Sequence, residues 1–457
     1  MVKFDFKNKK VTIMGLGISG GGVGAAEFFA KAGARVLVTD LKTRGKLRES
    51  LGRLKGLSIR YVLGRHRKED FENADLIIKN PGVPNESKFL ALAKKSGVPI
   101  ETDVGIFFDL CPAPVVGVTG TKGKSTTAFL IHQILKRKYK NAVLGGNIGK
   151  SVLEVLPKIK KGGPASPTSQ GGPVILELSS FQLEALTEKK LSPHIAVITN
   201  IFPDHLNRYS SFAQYAKAKT NIFRFQKPED FLIIPEDNRL LEKLTKNARS
   251  KKIYFSKIVA KSIPFLSLAH NAANLAAAIE IAKLFKISRK EILSLIPRLK
   301  LLPHRLEKVG KIKGVTYIND SGATNPGAGI EAIKAARSLF KNGRLILIAG
   351  GEDKNLDYSV FAGEILKNAD FLVLLPGSAT EKMKVEFQKH LARTKNLKLK
   401  AVIDAPDMKQ AVIHARRLAQ KRDAVLLSPA AASFNLFQNE FDRGEQFCYL
   451  VNRTTKH

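Results

Sequence analysis

Val115-Val116-Gly117-Val118-Thr119-Gly120-Thr121-Lys122-Gly123-Lys124-Ser125-Thr126-Thr127 carries an apolar strand straight into a glycine-rich turn that opens a helix. Glycines let a backbone turn tightly enough to aim several N–H groups at one point, and the helix start adds positive partial charge. Lys124 can then reach terminal phosphates, and Ser125 or Thr126 offers a hydroxyl to a magnesium ion. The strict phosphate-loop pattern asks for glycine five places before Gly123, where Val118 stands, so this is a variant loop. Strand, turn, Gly-Lys-Ser and helix still follow in the required order. The stretch predicts a nucleotide phosphate cradle at the edge of an α/β sheet.

Around that cradle lie 457 residues, more than one core usually serves, so two or three domains are expected. Hydrophobic residues at 44% and charged residues at 25% match an ordinary globular protein. No apolar run approaches bilayer-spanning length, and Met1–Lys10 lacks the apolar centre of a signal peptide. A cytoplasmic protein without a membrane partner is the expectation. Cys111 and Cys448 stand alone, which indicates neither a zinc site nor a disulfide framework. The net charge of +36 raises the question of nucleic acid, but the basic residues are spread along the chain with acidic ones between them. A solvated basic surface is the favoured reading, and its field would also draw in small polyanions.

Before the cradle, Lys10–Met14, an alanine-rich helix through Ala32, and Ala34–Asp40 form a strand-turn-helix-strand unit. The turn holds Gly15, Gly17 and Gly20 in GxGxxG register, and Asp40 closes the second strand, placed to bind ribose hydroxyls. Taken alone, this fits a dinucleotide or any other nucleotide diphosphate. Strands are also expected at Ser58–Val62 and at Asp75–Lys79, which runs into Asn80-Pro81-Gly82, with a linker at Cys111-Pro112. After the cradle come strands Val174–Glu177, Ile195–Thr199 and Phe231–Ile234, and a helix over His270–Phe285. A Lys-, Gly-, Pro- and Ser-rich stretch from Lys158 to Pro173 reads as a surface insertion. From His304 onward the rhythm repeats at Val315–Asn319, Arg344–Ala349, Phe371–Leu375, Ala401–Asp404 and Val425–Ser428. The fold class is therefore α/β with three domains: N-terminal Rossmann-like, a central phosphate-loop ATPase with a mostly parallel sheet, and C-terminal Rossmann-like. The expected boundaries are 1–111, 112–303 and 304–457.

Two residues beyond the cradle bear on metal chemistry. Glu177 ends the apolar run Val174-Ile175-Leu176, where a magnesium ion beside ATP phosphates needs a carboxylate. His205, in the loop after the next strand, offers a second ligand, although a lone loop histidine usually faces solvent.

The ordered motifs TGTKGKST, GGNIGKS, ELSSFQLE, NIFPDHLNRY, YAKAK, HNAAN, LPHRLE, YINDSGATNP, GGEDKNLDY and SPAAASF run the length of the chain. Together they resemble the Mur ligase superfamily, and within it the branch that adds D-glutamate. The resemblance implies a UDP domain, an ATPase and an amino-acid domain, working as a monomer on UDP-N-acetylmuramoyl-L-alanine and D-glutamate. It implies that Gly120, Thr121, Lys122, Gly123, Lys124, Ser125 and Thr126 hold ATP phosphates, with Asn271 and Asn274 facing adenine and Arg305 and Asp320 clamping phosphate and ribose. Gly17, Ile18, Ser19, Asp40, Asn80, Gly82 and Asn147 would hold the UDP substrate, and Thr324, Lys354, Ser433 and Phe434 would hold D-glutamate. Mg2+ would sit on Ser125, Glu177, His205 and Lys219, with Lys124, Glu177, His205 and Lys219 carrying catalysis. Lys219 matches a family lysine that reacts with carbon dioxide to form a carbamate, which requires a neutral amine. Without the resemblance it reads as an exposed helix lysine.

Two departures from the family pattern bear on the amino-acid pocket: Gly322 where many members carry lysine, and the order Glu440-Phe441 before Arg443-Gly444. Alternatives are a sister ligase taking another amino acid or a folylpolyglutamate synthase, which share the ATP core. An NAD-dependent dehydrogenase fits only the first fingerprint, and a nucleic-acid-binding protein fits only the charge.

Overall fold

The computed structural model describes residues 5–17, 20–148, 151–159, 172–204, 208–256, 269–391 and 397–453. Most of the expected surface insertion, together with His205, Ile18 and Ser19, lies outside the described residues. Three sheets carry the chain. The first contains β1 (Lys10–Met14), β2 (Arg35–Asp40), β3 (Ile59–Leu63), β4 (Leu76–Lys79) and β5 (Ile100–Glu101), in the order β3-β2-β1-β4-β5 and parallel throughout. The second contains β6 (Val115–Thr119), β7 (Val143–Gly146), β8 (Val174–Glu177), β9 (Ile195–Ile198), β10 (Phe231–Pro235) and β11 (Lys251–Phe255). Its order is β11-β10-β9-β6-β8-β7, again parallel.

The third sheet contains β12 (Glu307–Ile312), β13 (Val315–Asn319), β14 (Leu345–Gly350), β15 (Phe371–Leu375), β16 (Ala401–Asp404) and β17 (Ala424–Leu427). Its order is β12-β13-β17-β14-β15-β16, with β12 the one antiparallel strand. Both faces of this sheet are covered. On β14, Leu345, Leu347 and Ala349 point into one apolar layer while Ile346 and Ile348 point into the other. A period of two with both phases apolar is what a parallel strand under helices on either side requires.

The chain folds as two compact units, the first built on the two N-terminal sheets with Ala269–Leu299, the second on the third sheet from Lys300 onward. In the first unit one apolar cluster is continuous from Val11, Ile13 and Phe29 under β1 to Leu176, Ile198 and Leu232 in the central sheet. The helix Gly21–Lys31 packs its Gly24 against Ser151, where a Cβ would collide, so the two sheets approach through a position that tolerates no side chain. β1 and β6 are each flanked by strands that lead off in opposite directions. These are the switch points at which open parallel sheets present a crevice beyond their strand C-termini.

Candidate active site

The glycine-rich turn leaves β6 at one such switch point. Gly123 caps the helix Lys124–Lys138 at φ 82°, and Gly120 sits at φ 152°. An added Cβ at Gly123 would lie 2.5 Å from Asn274 Oδ1, and one at Gly120 would collide with Thr199 Oγ1. Both glycines are therefore fixed by close approach as well as by backbone sign. The turn is laced to its neighbours. The Thr121 and Lys122 N–H groups donate to Asn200 O (3.0 Å) and Asn200 Oδ1 (2.9 Å), Thr199 Oγ1 donates to Lys122 O (2.7 Å), and Lys124 Nζ donates to Thr121 O (2.9 Å). Thr127 Oγ1 donates to Asn274 Oδ1 (3.1 Å), which ties the cradle helix to Ala269–Leu284 and places Asn271, buried with Asn274, beside it. Ser125 and Thr126 occupy the first turn of the cradle helix, half-buried.

Strand pairing sets Glu177 opposite Val118 on one side and Gly146 on the other, at the C-terminal edge of the sheet. Its side chain is 2% exposed. Oε1 accepts from Asn147 Nδ2 at 3.1 Å, and Oε2 is buried with no hydrogen-bond partner. A buried carboxylate oxygen left without a donor is costly, and a divalent cation would satisfy it. The residues present thus fit a magnesium ion beside the cradle. Among the described residues no three His, Cys, Asp or Glu side chains gather at one point; hydroxyl and phosphate oxygens could add donors beside Glu177.

Lys219 overturns the reading of an exposed helix lysine. It lies on the helix Phe212–Arg224, 2% exposed, with Nζ donating to Gly120 O at 2.8 Å and resting 4.8 Å from the Tyr215 ring centroid. The Tyr215 hydroxyl is in turn 3.2 Å from Thr121 Oγ1. Burial, and then the Lys124 charge, bring the Lys219 amine down to about 7, against the opposing pull of Asp204 and Glu177. A buried amine that is substantially neutral at physiological pH is nucleophilic.

The first sheet presents its own crevice. Asp40 Oδ2 accepts from Gly17 N–H (3.0 Å) and Oδ1 from Lys42 N–H (2.8 Å), while Ser50 Oγ donates to Gly17 O (2.7 Å). Asn80 Oδ1 accepts from Gly82 N–H at 3.1 Å. Gly17, Asp40, Asn80, Gly82 and Asn147 all line a single cleft of about 1200 Å3 within the first unit, which the spacing along the chain could not reveal.

In the second unit Asp320 is buried, accepting from Leu306 N–H (3.1 Å) and Ser428 Oγ (3.0 Å), and burial pushes its carboxyl up to about 7 against the pull of Arg305. Arg305, itself exposed, donates Nη1 to Gly322 O (2.7 Å); a Cβ at Gly322 would come within 2.8 Å of Arg305 Nε, so the absent side chain leaves room for the guanidinium. Ser433 is buried, Thr324 half-buried, and Lys354 and Phe434 are exposed. Arg443, fully buried, donates to Ser321 Oγ (3.0 Å), Ser321 O (2.9 Å) and Ala431 O (3.1 Å), bolting the loop after β13 to the loop after β17. Those are the loops that bear Thr324 and Ser433.

Residues 9–102 match the MurD-like N-terminal domain of Mur ligases, 118–264 the Mur ligase middle domain, and 304–431 the glutamate ligase domain of Mur ligases. UDP-N-acetylmuramoylalanine--D-glutamate ligase from Roseiflexus sp. (strain RS-1) is 37% identical over 480 residues, covering 98% of this chain and 99% of that protein. This chain belongs to the Mur ligase family. The enzyme of the same name from Borreliella burgdorferi (strain ATCC 35210 / DSM 4680 / CIP 102532 / B31) is 36% identical, covering 99% of both. In fold the chain is similar to UDP-N-acetylmuramate-alanine ligase MurC from Thermotoga maritima (TM-score 0.59, 18% identity, 98% and 100% covered). It is also similar to MurF ligase from the same organism in complex with ADP (TM-score 0.56, 16% identity, 100% of both covered). As a Mur ligase it is an ATP-dependent, amide-bond-forming enzyme of three α/β domains.

For this Mur ligase, reading the residues missed Thr199 and Asn200, which hold the cradle, and Arg443, which joins the two loops of the third sheet. Thr199-Asn200 had a visible signal, a pair of polar residues ending an apolar strand beside the phosphate loop. Arg443 had one signal, its place before Gly444 in the family pattern, but its role depends on two loops distant in sequence.

Proposed function

We propose that this Mur ligase adds D-glutamate to UDP-N-acetylmuramoyl-L-alanine, in the cytoplasm, as a step of peptidoglycan precursor synthesis. Full-length similarity to enzymes of that name supports the substrate pair. The observation that carries the chemistry is the buried Lys219 amine at the cradle, donating to Gly120 O at 2.8 Å and felt through space by Lys124, Asp204 and Glu177. On this reading the domains are 1–111 for the UDP substrate, 112–303 for ATP and 304–457 for the amino acid, and the enzyme is a monomer.

A carboxylate cannot lose oxide to an amine in water, so it must first be activated. The substrate carboxylate oxygen attacks the terminal phosphorus of ATP and ADP departs, leaving an acyl phosphate. The D-glutamate amine then attacks the acyl carbon, phosphate leaves, and the amine gives up a proton. Mg2+ held by Ser125 and Glu177, with His205 and a carbamate on Lys219 for a second ion, would offset charge repulsion between the reacting anions. Lys124 and the cradle N–H groups supply fixed positive charge where the transferred phosphoryl group gathers negative charge. Asn147 orients Glu177, and the buried Asn271 and Asn274 brace the cradle beside the expected adenine site. In the third sheet the pair of loops joined by Arg443 would present Thr324 and Ser433 to the dicarboxylate, with Phe434 next to Ser433 and Lys354 on the loop after β14, where Glu352 bridges to Ala432.

The test is phosphate release across a panel of amino acids. Release should require UDP-N-acetylmuramoyl-L-alanine and D-glutamate together, and oxygen-18 in the substrate carboxylate should appear in the inorganic phosphate. Equal turnover with L-lysine or meso-diaminopimelate would overturn the substrate reading, and unlabelled phosphate would overturn the acyl-phosphate route.

A further inference from the structure

The cleft of the first unit has a buried acid on its floor that neither the phosphate cradle nor the Asp40 turn uses. Asp103 is 3% exposed, the first residue of the helix Asp103–Leu110, whose start is capped by Thr102. It lines the cleft with Gly17, Gly21, Asn80 and Ser151. Its Oδ2 lies 3.8 Å from where a Cβ on Gly21 would stand, at the first turn of the helix Gly21–Lys31. Its Oδ1 accepts from Val104 N–H at 2.8 Å, and it is hydrogen-bonded to the Ser151 side chain, at the point where the central domain meets that helix. Asp103 therefore touches the glycine-rich helix start and the central domain at once.

An ionised carboxylate beside the helix start opposes the anion that a helix start attracts. We infer that Asp103 is a positioning residue for the nucleotide-linked substrate: in its protonated form it lets the diphosphate settle on the Gly21–Lys31 helix start, and substrate binding takes up its proton. This rests on the reading of a UDP-linked substrate in the cleft.

The surrounding charges neither neutralise nor ionise it. Around the helix start, Arg53 lies 3.4 Å from the Cβ position of Gly20 but is paired with Glu154. At the end of β4 stands Lys79; at the end of β2, Asp40 spends both oxygens on backbone N–H groups. On the approach to its own helix, Glu101 is paired with Lys189, as is Asp109 further along. From the central domain it meets the neutral Ser151. Burial is the dominant influence and raises the carboxyl to about 6, with the Val104 N–H, its own N–H and Ser151 pulling the other way. Near neutrality free Asp103 is mostly ionised and a bound polyanion drives it back to the acid. A diphosphate esterified at both ends has no group of its own titrating in that range.

The experiment is the KM for UDP-N-acetylmuramoyl-L-alanine between about pH 5.5 and 8, in saturating bicarbonate, for the wild-type enzyme and Asp103→Asn, with kcat measured alongside. Wild-type KM should rise by up to about tenfold per pH unit above the Asp103 midpoint, while kcat changes far less. Asp103→Asn, which keeps shape and a donor without charge, should lose the slope. Calorimetry of the wild type at pH 7.5 in buffers of different ionisation enthalpy should find close to one proton taken up per substrate bound, a readout that survives if the variant folds poorly. An unchanged slope in Asp103→Asn, or binding without proton uptake, overturns the inference. A wild-type enzyme that binds no UDP-linked substrate at any pH fails earlier, at the reading on which the inference rests.

Discussion

The first unit contains two glycine-rich turns that look alike in sequence and stand in opposite electrostatic surroundings. After β1, the turn and helix start are faced by acids: Asp40 holds the Gly17 N–H, and Asp103 lies under Gly21. After β6, the turn is faced by amines: Lys124 donates to Thr121 O and Lys219 to Gly120 O. Their glycines differ as well. Gly24 is small because another domain's Ser151 presses on the helix, whereas Gly120 and Gly123 are small because Thr199 and Asn274 reach across to brace the loop. One turn packs against a second domain with an acid-lined cleft beside it; the other is ringed by amines, as the proposed handling of phosphoryl groups would require. A glycine pattern alone states that backbone must come close to something, and the neighbouring charge decides what.

The largest break in that contrast should come from Lys219→Ala. Removing the buried amine is expected to lower turnover by about a thousandfold or more in coupled phosphate-release assays, with partial recovery on adding short carboxylates. A variant with unimpaired turnover would remove the carbamate role. Glu177→Gln comes next, at about a hundredfold, because the neutral amide could not supply the anionic oxygen that Oε2 would offer a cation. Its magnesium titration should shift to higher concentration, and an unshifted titration would show that Glu177 does not bind the ion.

A smaller and sharper test uses pH. On the proposed carbamate role carbon dioxide would react only with the neutral Lys219 amine, which burial brings down to about 7, so the reactive fraction would be lost as pH falls and gained as it rises. At limiting carbon dioxide, activity should increase roughly tenfold from pH 6 to pH 8, and saturating bicarbonate should flatten the profile. At the other turn, Gly24→Leu should cost about 1–3 kcal/mol through overpacking against Ser151, read as a lower melting temperature. It should raise the KM for the UDP substrate more than that for ATP. An ATP effect as large would mean the two turns are not separable.

Much of this was legible beforehand because parallel strands with both faces covered are apolar runs ending in turn residues. Lys10–Met14, Val174–Glu177, Phe371–Leu375 and Ala401–Asp404 fall where the sequence places them. The strands that escaped notice are all at or near sheet edges: Ile100–Glu101 is two residues long, Val143–Gly146 ends in two glycines, and Lys251–Phe255 and Glu307–Ile312 carry charges on the exposed phase. An edge strand has one neighbour and need not be apolar, so its pattern fades into that of a loop. The antiparallel pairing of β12 lay equally outside any local signal.

Chain order and residue chemistry alone determined the α/β class, the phosphate cradle, the family and the strand-end position of Glu177, because each is written in contiguous residues. Tertiary structure alone decided that Lys219 is buried with its amine brought down to about 7, that Glu177 keeps an oxygen without a donor, that Arg443 joins two distant loops, and that Asp103 lies beside a helix start about eighty residues before it. The physical reason is that burial and charge environment are properties of what packs around a group. That packing is assembled from segments no local reading brings together.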